Sequence, residues 1–293
     1  MNCRVLAYHR VLDPERRSPI IECQRRRGMV VTPARFREEM LAVRGSHGPV
    51  TGAAFVAALH GAPLPQRACL VTFDDGYVDF ADTAMPVLDA LGIPAVLFVT
   101  RAQAVSPQRL APVDRWYSIV GAWLDRCGHD PALASVAADL IAGARKREFV
   151  RSRPDKQDDI LAALAVELGD AAPESAEAHY LGESDLRRLA ARGVTLGVHG
   201  DDHVRLTSLT RAVRRRSLAD CRVWLQSLTG EVPALLSYPD GAFDEEVMAD
   251  VREAGFLSAF TIGRQAIVGE ETRYCVNREF IPGGEPNVPA GHS

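Results

Sequence analysis

Short apolar runs recur along this chain, separated by stretches in which apolar residues return at helical spacing. Arg4–Tyr8, Ala68–Phe73, Pro94–Val99, Val194–Val198, Ala234–Tyr238 and Phe256–Thr261 read as strands. Pro94–Val99 is apolar throughout, the mark of a strand covered on both faces. Between them lie helices. Thr32-Pro33 supplies an N-cap and a first-turn proline for a helix to about Arg44. Others cover Ala53–Leu59, Val78–Leu91 (stopped by Gly92), Ser184-Asp185 to Gly193, Thr210–Leu228 (closed by Gly230) and Asp244–Ala254. Strands alternating with helices predict a parallel sheet. About seven such strands predict an α/β fold, a distorted (β/α)7-type barrel.

Residues 102–183 break that rhythm. Helical patterns there cover Trp116–Cys127, Ala132–Arg147 and Lys156–Leu168, with a Pro-, Ala- and Glu-rich joint near Ala171–Ala178. The alternation resumes afterwards, so 1–293 reads as one domain with a mostly helical insertion at about 102–183. Two basic stretches stand out. Arg16-Arg17 with Arg25-Arg26-Arg27 predicts a solvated loop, with a phosphate- or anion-binding role as the alternative. Arg145-Lys146-Arg147 with Arg151 and Arg153 predicts a solvated helix end, with an anionic-substrate handle as the alternative.

Composition narrows the class. A chain of 293 residues that is 47% hydrophobic can build a full core. A net charge of -4 gives no reason to expect nucleic acid or an anionic membrane as partner. Six scattered cysteines without a C-x-x-C pair predict reduced thiols, three disulfides being the alternative. The N-terminus has no apolar signal region and no segment is long enough to span a bilayer. These features predict a cytosolic protein with no transmembrane segment.

The candidate chemistry sits at strand ends. Asp74-Asp75-Gly76-Tyr77 follows Ala68–Phe73, His199-Gly200-Asp201-Asp202-His203 follows Val194–Val198, and Pro239-Asp240-Gly241 follows a third strand. In a β/α barrel those ends share one face. One carboxylate and two imidazoles suit a zinc-like ion with a position left open. The remaining carboxylate can serve as a base. A lone Asp-Asp-Gly is usually a turn, and a lone H-x-x-x-H is often two surface histidines. Their joint occurrence at strand ends is what points to a metal site.

Those motifs resemble the polysaccharide deacetylase family (carbohydrate esterase family 4, the NodB-homology domain). The resemblance rests on Thr72-Phe73-Asp74-Asp75-Gly76-Tyr77, Gly197-Val198-His199 through His203, and Ser237-Tyr238-Pro239-Asp240-Gly241. Arg278, within Cys275–Phe280, resembles a late arginine of many members. The match takes in about Arg4–Val99 and Leu181–Ile281 and leaves the insertion unexplained. It implies Asp75, His199 and His203 as ligands of a divalent metal, zinc, or else cobalt, nickel or manganese. It implies Asp74 as general base, Arg278 as its orienting partner and the backbone N–H of Asp240 as an oxyanion donor. Many members carry their general acid in a late Leu-x-His motif, absent here; after His203 only His292 remains. An early Tyr-His, here Tyr8-His9, resembles the branch acting on poly-N-acetylglucosamine, which implies His9 as the acid. The plainer reading of His9 is a hydrogen-bonded histidine at a strand end, and that of Arg278 an ordinary structural arginine.

The chain departs from the family pattern at Gly200 and Asp202, where small hydroxyl residues are usual, and at Asp240, usually Tyr. Asp201 and Asp202 would add negative charge near the metal loop, to bind substrate or simply to cap the loop. Trp116, Tyr117, Tyr77 and Phe243 are aromatic candidates near a ligand, with core packing as the alternative. The leading expectation is a metal-dependent N-deacetylase acting on an N-acetylated sugar or a glycosylated small molecule. The alternatives are a deformylase or other C–N amidohydrolase, and a non-catalytic metal- or ligand-binding pseudoenzyme.

Overall fold

Every residue of Ala68–Phe73 and of Ala95–Val99 is buried, as strands flanked on both faces must be. The structure, a computed structural model, describes residues 3–127, 130–169, 179–263 and 272–283. The joint expected at Ala171–Ala178 and the histidine His292 lie outside the described residues. The strands are β1 (Cys3–Tyr8), β2 (Arg10–Val11), β3 (Val30–Val31), β4 (Gly48–Pro49), β5 (Ala68–Phe73), β6 (Ala95–Val99), β7 (Thr195–Val198), β8 (Leu235–Ser237), β9 (Ser258–Gly263) and β10 (Val276–Phe280). The α-helices are α1 (Pro19–Arg26), α2 (Pro33–Ser46), α3 (Gly52–Leu59), α4 (Met85–Leu91), α5 (Arg101–Val105), α6 (Pro112–Cys127), α7 (Ala134–Ala142), α8 (Ala144–Arg151), α9 (Pro154–Leu168), α10 (Glu183–Ala191), α11 (Arg211–Thr229) and α12 (Glu245–Glu253).

The sheet runs β1-β10-β9-β8-β7-β6-β5, all parallel, and β5 pairs back to β1. That ring is a closed seven-stranded barrel, with β4 added at the start of β5. The (β/α)7-type expectation therefore holds. Tyr8 lies opposite Phe73, and Val99 opposite Val198, so the residues that follow them emerge side by side.

Period-two alternation separates the two faces of each strand. Leu6 and Tyr8, Val71 and Phe73, and Leu97 and Val99 pack with the surrounding helices. Cys3 and Val5, Ala68 and Leu70, Val96 and Phe98, and Phe260 and Val276 pack with one another, and Phe55 of α3 joins them. Gly197 belongs to this tight interior; a Cβ there would lie 2.5 Å from the Phe98 ring. Continuing the inner series in steps of two reaches Thr72 and then Asp74 on one strand, and His199, Ser237 and Arg278 on the others. The interior thus turns polar at the carboxyl ends.

Several expectations need correcting. The Arg25–Arg27 stretch is not a loop but the end of α1, capped by the Ser18 hydroxyl, which accepts from Ile21 N–H. Its buried Ile20, Ile21 and Cys23 lie between two arginine runs, Arg16-Arg17 and Arg25-Arg26-Arg27, that mask the apolar face. The helix expected over Val78–Leu91 opens into a π-helical turn at Phe80–Ala84 before α4. Pro86 lacks the N–H an α-helix would use there. The helix expected over Ala132–Arg147 breaks at Gly143 into α7 and α8. Lys146 on α8 is buried, not solvated. Val276–Phe280 is a strand, and its pairing with β1 and β9 closes the barrel.

Helices α6 to α9, between β6 and β7, pack on α1. Ile20 and Cys23 of α1 share a core with Trp116, Val120, Leu140, Phe149, Leu161 and Leu164. Gly121 permits the crossing: a Cβ there would meet the Pro19 carbonyl oxygen at 2.0 Å. All six cysteines are free. Among the described residues no helix is long and apolar enough to cross a membrane.

Candidate metal centre

Five segments meet at the carboxyl face. Asp74 N–H donates to the Tyr8 carbonyl at 3.1 Å, fixing the Asp74-Asp75 turn beside His9. His199 N–H donates to the Val99 carbonyl at 2.8 Å, continuing the β6–β7 ladder by one residue. Asp75 and His203 take left-handed backbone, at φ 72° and 50°. That region is uncommon for residues with a side chain and recurs where geometry at a site is fixed by its surroundings.

These turns bring together the three expected ligands. Asp75 Oδ1 lies 3.3 Å from His199 Nε2 and 3.2 Å from His203 Nε2. One donor atom from each falls within 4.8 Å of the others. His199 Nδ1–H donates to the Ser237 carbonyl at 2.8 Å, which leaves the Nε2 lone pair facing Asp75. Asp75 Oδ1 is buried yet accepts no hydrogen bond. A buried carboxylate oxygen without a donor is costly, and a divalent cation among these three atoms would satisfy it. Burial works to raise the Asp75 pKa, but His203 and His199 hold it well below the ordinary carboxylate range. Against its own burial, His203 is raised to about 9 by Asp75. The donor set therefore favours positive charge, and it fits a metal.

Asp74 is held apart from that set. Arg278 grips it with two hydrogen bonds, Nη1 to Oδ1 at 2.7 Å and Nη2 to Oδ2 at 2.6 Å. The guanidinium also donates to Thr72 Oγ1, Ser237 Oγ and the Thr261 carbonyl. Both members of this pair are almost wholly buried, at 0% exposure for Arg278 and 1% for Asp74. Burial would raise Asp74, yet Arg278 and His199 keep its pKa below the usual value. Sequence reasoning assigns no part to Ser237 or Thr72, because short hydroxyl residues at strand ends are unremarkable. Their inward register was the available signal.

His9 stands edge-on to Phe280, with centroids 5.5 Å apart, and its Nδ1 is buried without a partner. Burial lowers its pKa, opposed by the Asp75 and Asp74 carboxylates it faces. Asp240 sits on the rim in a tight turn, at φ 54°. The turn's own bonds run from Gly241 N–H to the Tyr238 carbonyl and from Ala242 N–H to the Pro239 carbonyl, and do not use the Asp240 N–H. The Asp240 carboxylate accepts from Arg205 Nε at 3.0 Å.

The other candidates are placed elsewhere. Asp201 pairs with Arg101, and Asp202 with Gln103 and Arg109, so both tie the metal loop to α5 and the segment after it. Tyr77 and Tyr180 donate to Asp114 Oδ2, inside a buried polar network with Gln24. Trp116 is core, its indole N–H donating to the Leu140 carbonyl. Phe243 stacks on Tyr238.

A family model described as Polysaccharide deacetylase matches residues 61–259. Over 93 residues the chain is 32% identical to the poly-beta-1,6-N-acetyl-D-glucosamine N-deacetylase of Escherichia coli, covering 31% of this chain and 13% of that protein. The chain spans well under half the length of the curated relatives it matches. Among solved structures it is similar to the Streptococcus pyogenes deacetylase PplD, solved with acetate (TM-score 0.62, 16% identity, 98% of this chain and 94% of that one). It is similar also to IcaB from Ammonifex degensii (TM-score 0.57, 19% identity, 97% and 88%). At these identities the structural likeness establishes the fold.

Proposed function

Because the chain belongs to the polysaccharide deacetylase family, we propose that it hydrolyses the N-acetyl group of an amino sugar or sugar-containing intermediate, releasing acetate and a free amine. The observation that carries this reading is the convergence of Asp75 Oδ1 and two imidazole Nε2 atoms beside a separately clamped Asp74. On this reading residues 1–293 act as one deacetylase domain carrying a helical insertion.

Asp75, His199 and His203 would hold a divalent cation, zinc or else cobalt, nickel or manganese. When bound, it supplies Lewis acidity to the amide carbonyl and to water. The remaining work falls to the chain. Asp74, kept ionised and aimed by Arg278, accepts a proton from water as the water oxygen bonds to the carbonyl carbon. The Asp240 N–H donates to the carbonyl oxygen as charge gathers there. His9 gives a proton to the departing nitrogen as the C–N bond breaks, since an amide anion is too basic to leave unaided.

The test is metal-loaded protein against a panel of N-acetylated sugars, nucleotide sugars and glycosides, reading free amine and comparing release of acetate with release of formate. Asp74→Asn is expected to lower turnover by about 10²–10⁴-fold while zinc stays bound. Equal rates for variant and wild type would refute the assignment. His9→Ala is expected to lose most turnover and keep its metal; an unchanged rate would remove His9 from the mechanism.

A further inference from the structure

Lys146 is the buried cation that the reaction above leaves unused. It lies on α8 of the insertion, in a basic run whose pattern predicts a solvated surface, yet it is only 6% exposed. Its ammonium stands over two rings, 4.9 Å from the centroid of Tyr117 and 5.3 Å from that of Phe149. Among the described residues it makes no hydrogen bond and has no carboxylate within ion-pair distance. Ring faces return part of what holding an ammonium there costs, and neither Lys146 Nζ nor Tyr117 Oη is fully enclosed, so a ligand can reach both. Tyr117 is 3% exposed, and its hydroxyl likewise has no hydrogen-bond partner among the described residues.

The charges around Lys146 explain what these two groups lack. Asp240, Arg27, Asp114 and Arg205 set the field at its ammonium. Both carboxylates are already engaged: Asp240 by Arg205, and Asp114 by Tyr77, Tyr180 and Gln24. Arg27, at the end of α1, has no carboxylate partner among the described residues. The balance left over is positive, with two unpaired cations and one free hydroxyl. The spot also adjoins the reaction centre: in the segment that follows His203, the Ser208 hydroxyl donates to the Arg151 carbonyl at the end of α8 at 3.0 Å, and Arg205 pairs with Asp240, whose N–H is the one assigned to the oxyanion.

We propose that Lys146 and Tyr117 form a subsite for an anionic group, carboxylate or phosphate ester, borne by the N-acetylated substrate. The inference rests on the deacetylase reading and makes it more specific. The insertion supplies substrate selection, and the substrate is a charged amino sugar. A carboxylate or phosphate there would accept from the ammonium and the hydroxyl together, and charge-assisted bonds of this kind are the stronger class.

The experiment compares three probes on metal-loaded protein: N-acetylglucosamine, its 6-phosphate and the corresponding N-acetylated uronic acid. Wild type is expected to favour at least one anionic probe over the neutral one by about tenfold or more in kcat/KM. In Lys146→Met that ratio should fall toward one, chiefly through KM, while Lys146→Arg should retain most of it. Which anionic probe shows the effect separates phosphate from carboxylate. A wild type without preference overturns the proposal. So does a Lys146→Met variant that slows all three probes by the same factor, which is the result expected of a packing role alone.

If no probe is deacetylated, the deacetylase reading fails, and calorimetric binding of glucosamine 6-phosphate, glucosaminuronic acid and glucosamine then decides the subsite alone. Tighter binding of an anionic form that Lys146→Met abolishes upholds the subsite; equal binding of all three refutes it.

Discussion

Two buried cations near the centre have opposite circumstances, and the contrast gives separate predictions. Arg278 is fully committed, with Asp74, two hydroxyls and a carbonyl as acceptors. Replacing it by Met would leave a buried carboxylate unpaired, a change that typically costs about 3–5 kcal/mol. Denaturant unfolding of Arg278→Met should show a loss of that size, and a loss below ~1 kcal/mol would mean Asp74 finds another partner. Lys146 is uncommitted. Burial lowers its pKa to about 7, with Arg27 and Arg205 acting in the same direction and Asp240 and Asp114 against it. It is charged below that value and neutral above it. Any preference for the uronic-acid probe, whose carboxylate stays ionised throughout, should therefore be greatest below pH 7 and decline as pH rises past it. A ratio flat from pH 6 to 8 would exclude Lys146 as its source.

At the scale of elements, the barrel strands and the motifs at their ends were legible because both signals are local. A continuous apolar run marks a doubly covered strand, and Asp74 and His199 each follow one directly, with Asp75 next in line and Asp240 three residues past β8. What escaped was set by contacts distant in sequence. α1 hides four buried residues, Ile20, Ile21, Cys23 and Gln24, beside a run of arginines, and its packing partner α6 lies about a hundred residues away. Lys146 looks like any member of a basic run until Tyr117 and Phe149 are folded against it. Asp201 and Asp202 read in sequence either as charge offered to substrate or as a loop cap, and only the fold shows Arg101, Gln103 and Arg109 claiming them for the second. The α1–α6 crossing is itself testable. Gly121→Ala drives a methyl into the Pro19 carbonyl, and such overpacking typically costs about 1–3 kcal/mol. Unfolding at unchanged midpoint would show that the crossing can yield.

For the whole molecule, the metal and the fold should be linked by mass action. Zinc at 100 times its dissociation constant would add about 2.7 kcal/mol to stability, provided the unfolded chain does not bind it. Thermal unfolding should shift upward with zinc and return with chelator in the wild type, and should not shift in Asp75→Asn. A wild type indifferent to zinc would count against the Asp75–His199–His203 site. The ring of strands carries one more consequence. β1 is held by β5 on one side and by β10 on the other. Its second neighbour is thus, among the described strands, the last to leave the ribosome. At ~5–20 residues per second, β1 waits on the order of tens of seconds with one edge unpaired. Arg278 arrives on that same last strand. Until then Asp74 has no guanidinium to meet it, so the nascent chain completes its Asp74–Arg278 pair and seals its sheet in a single late event.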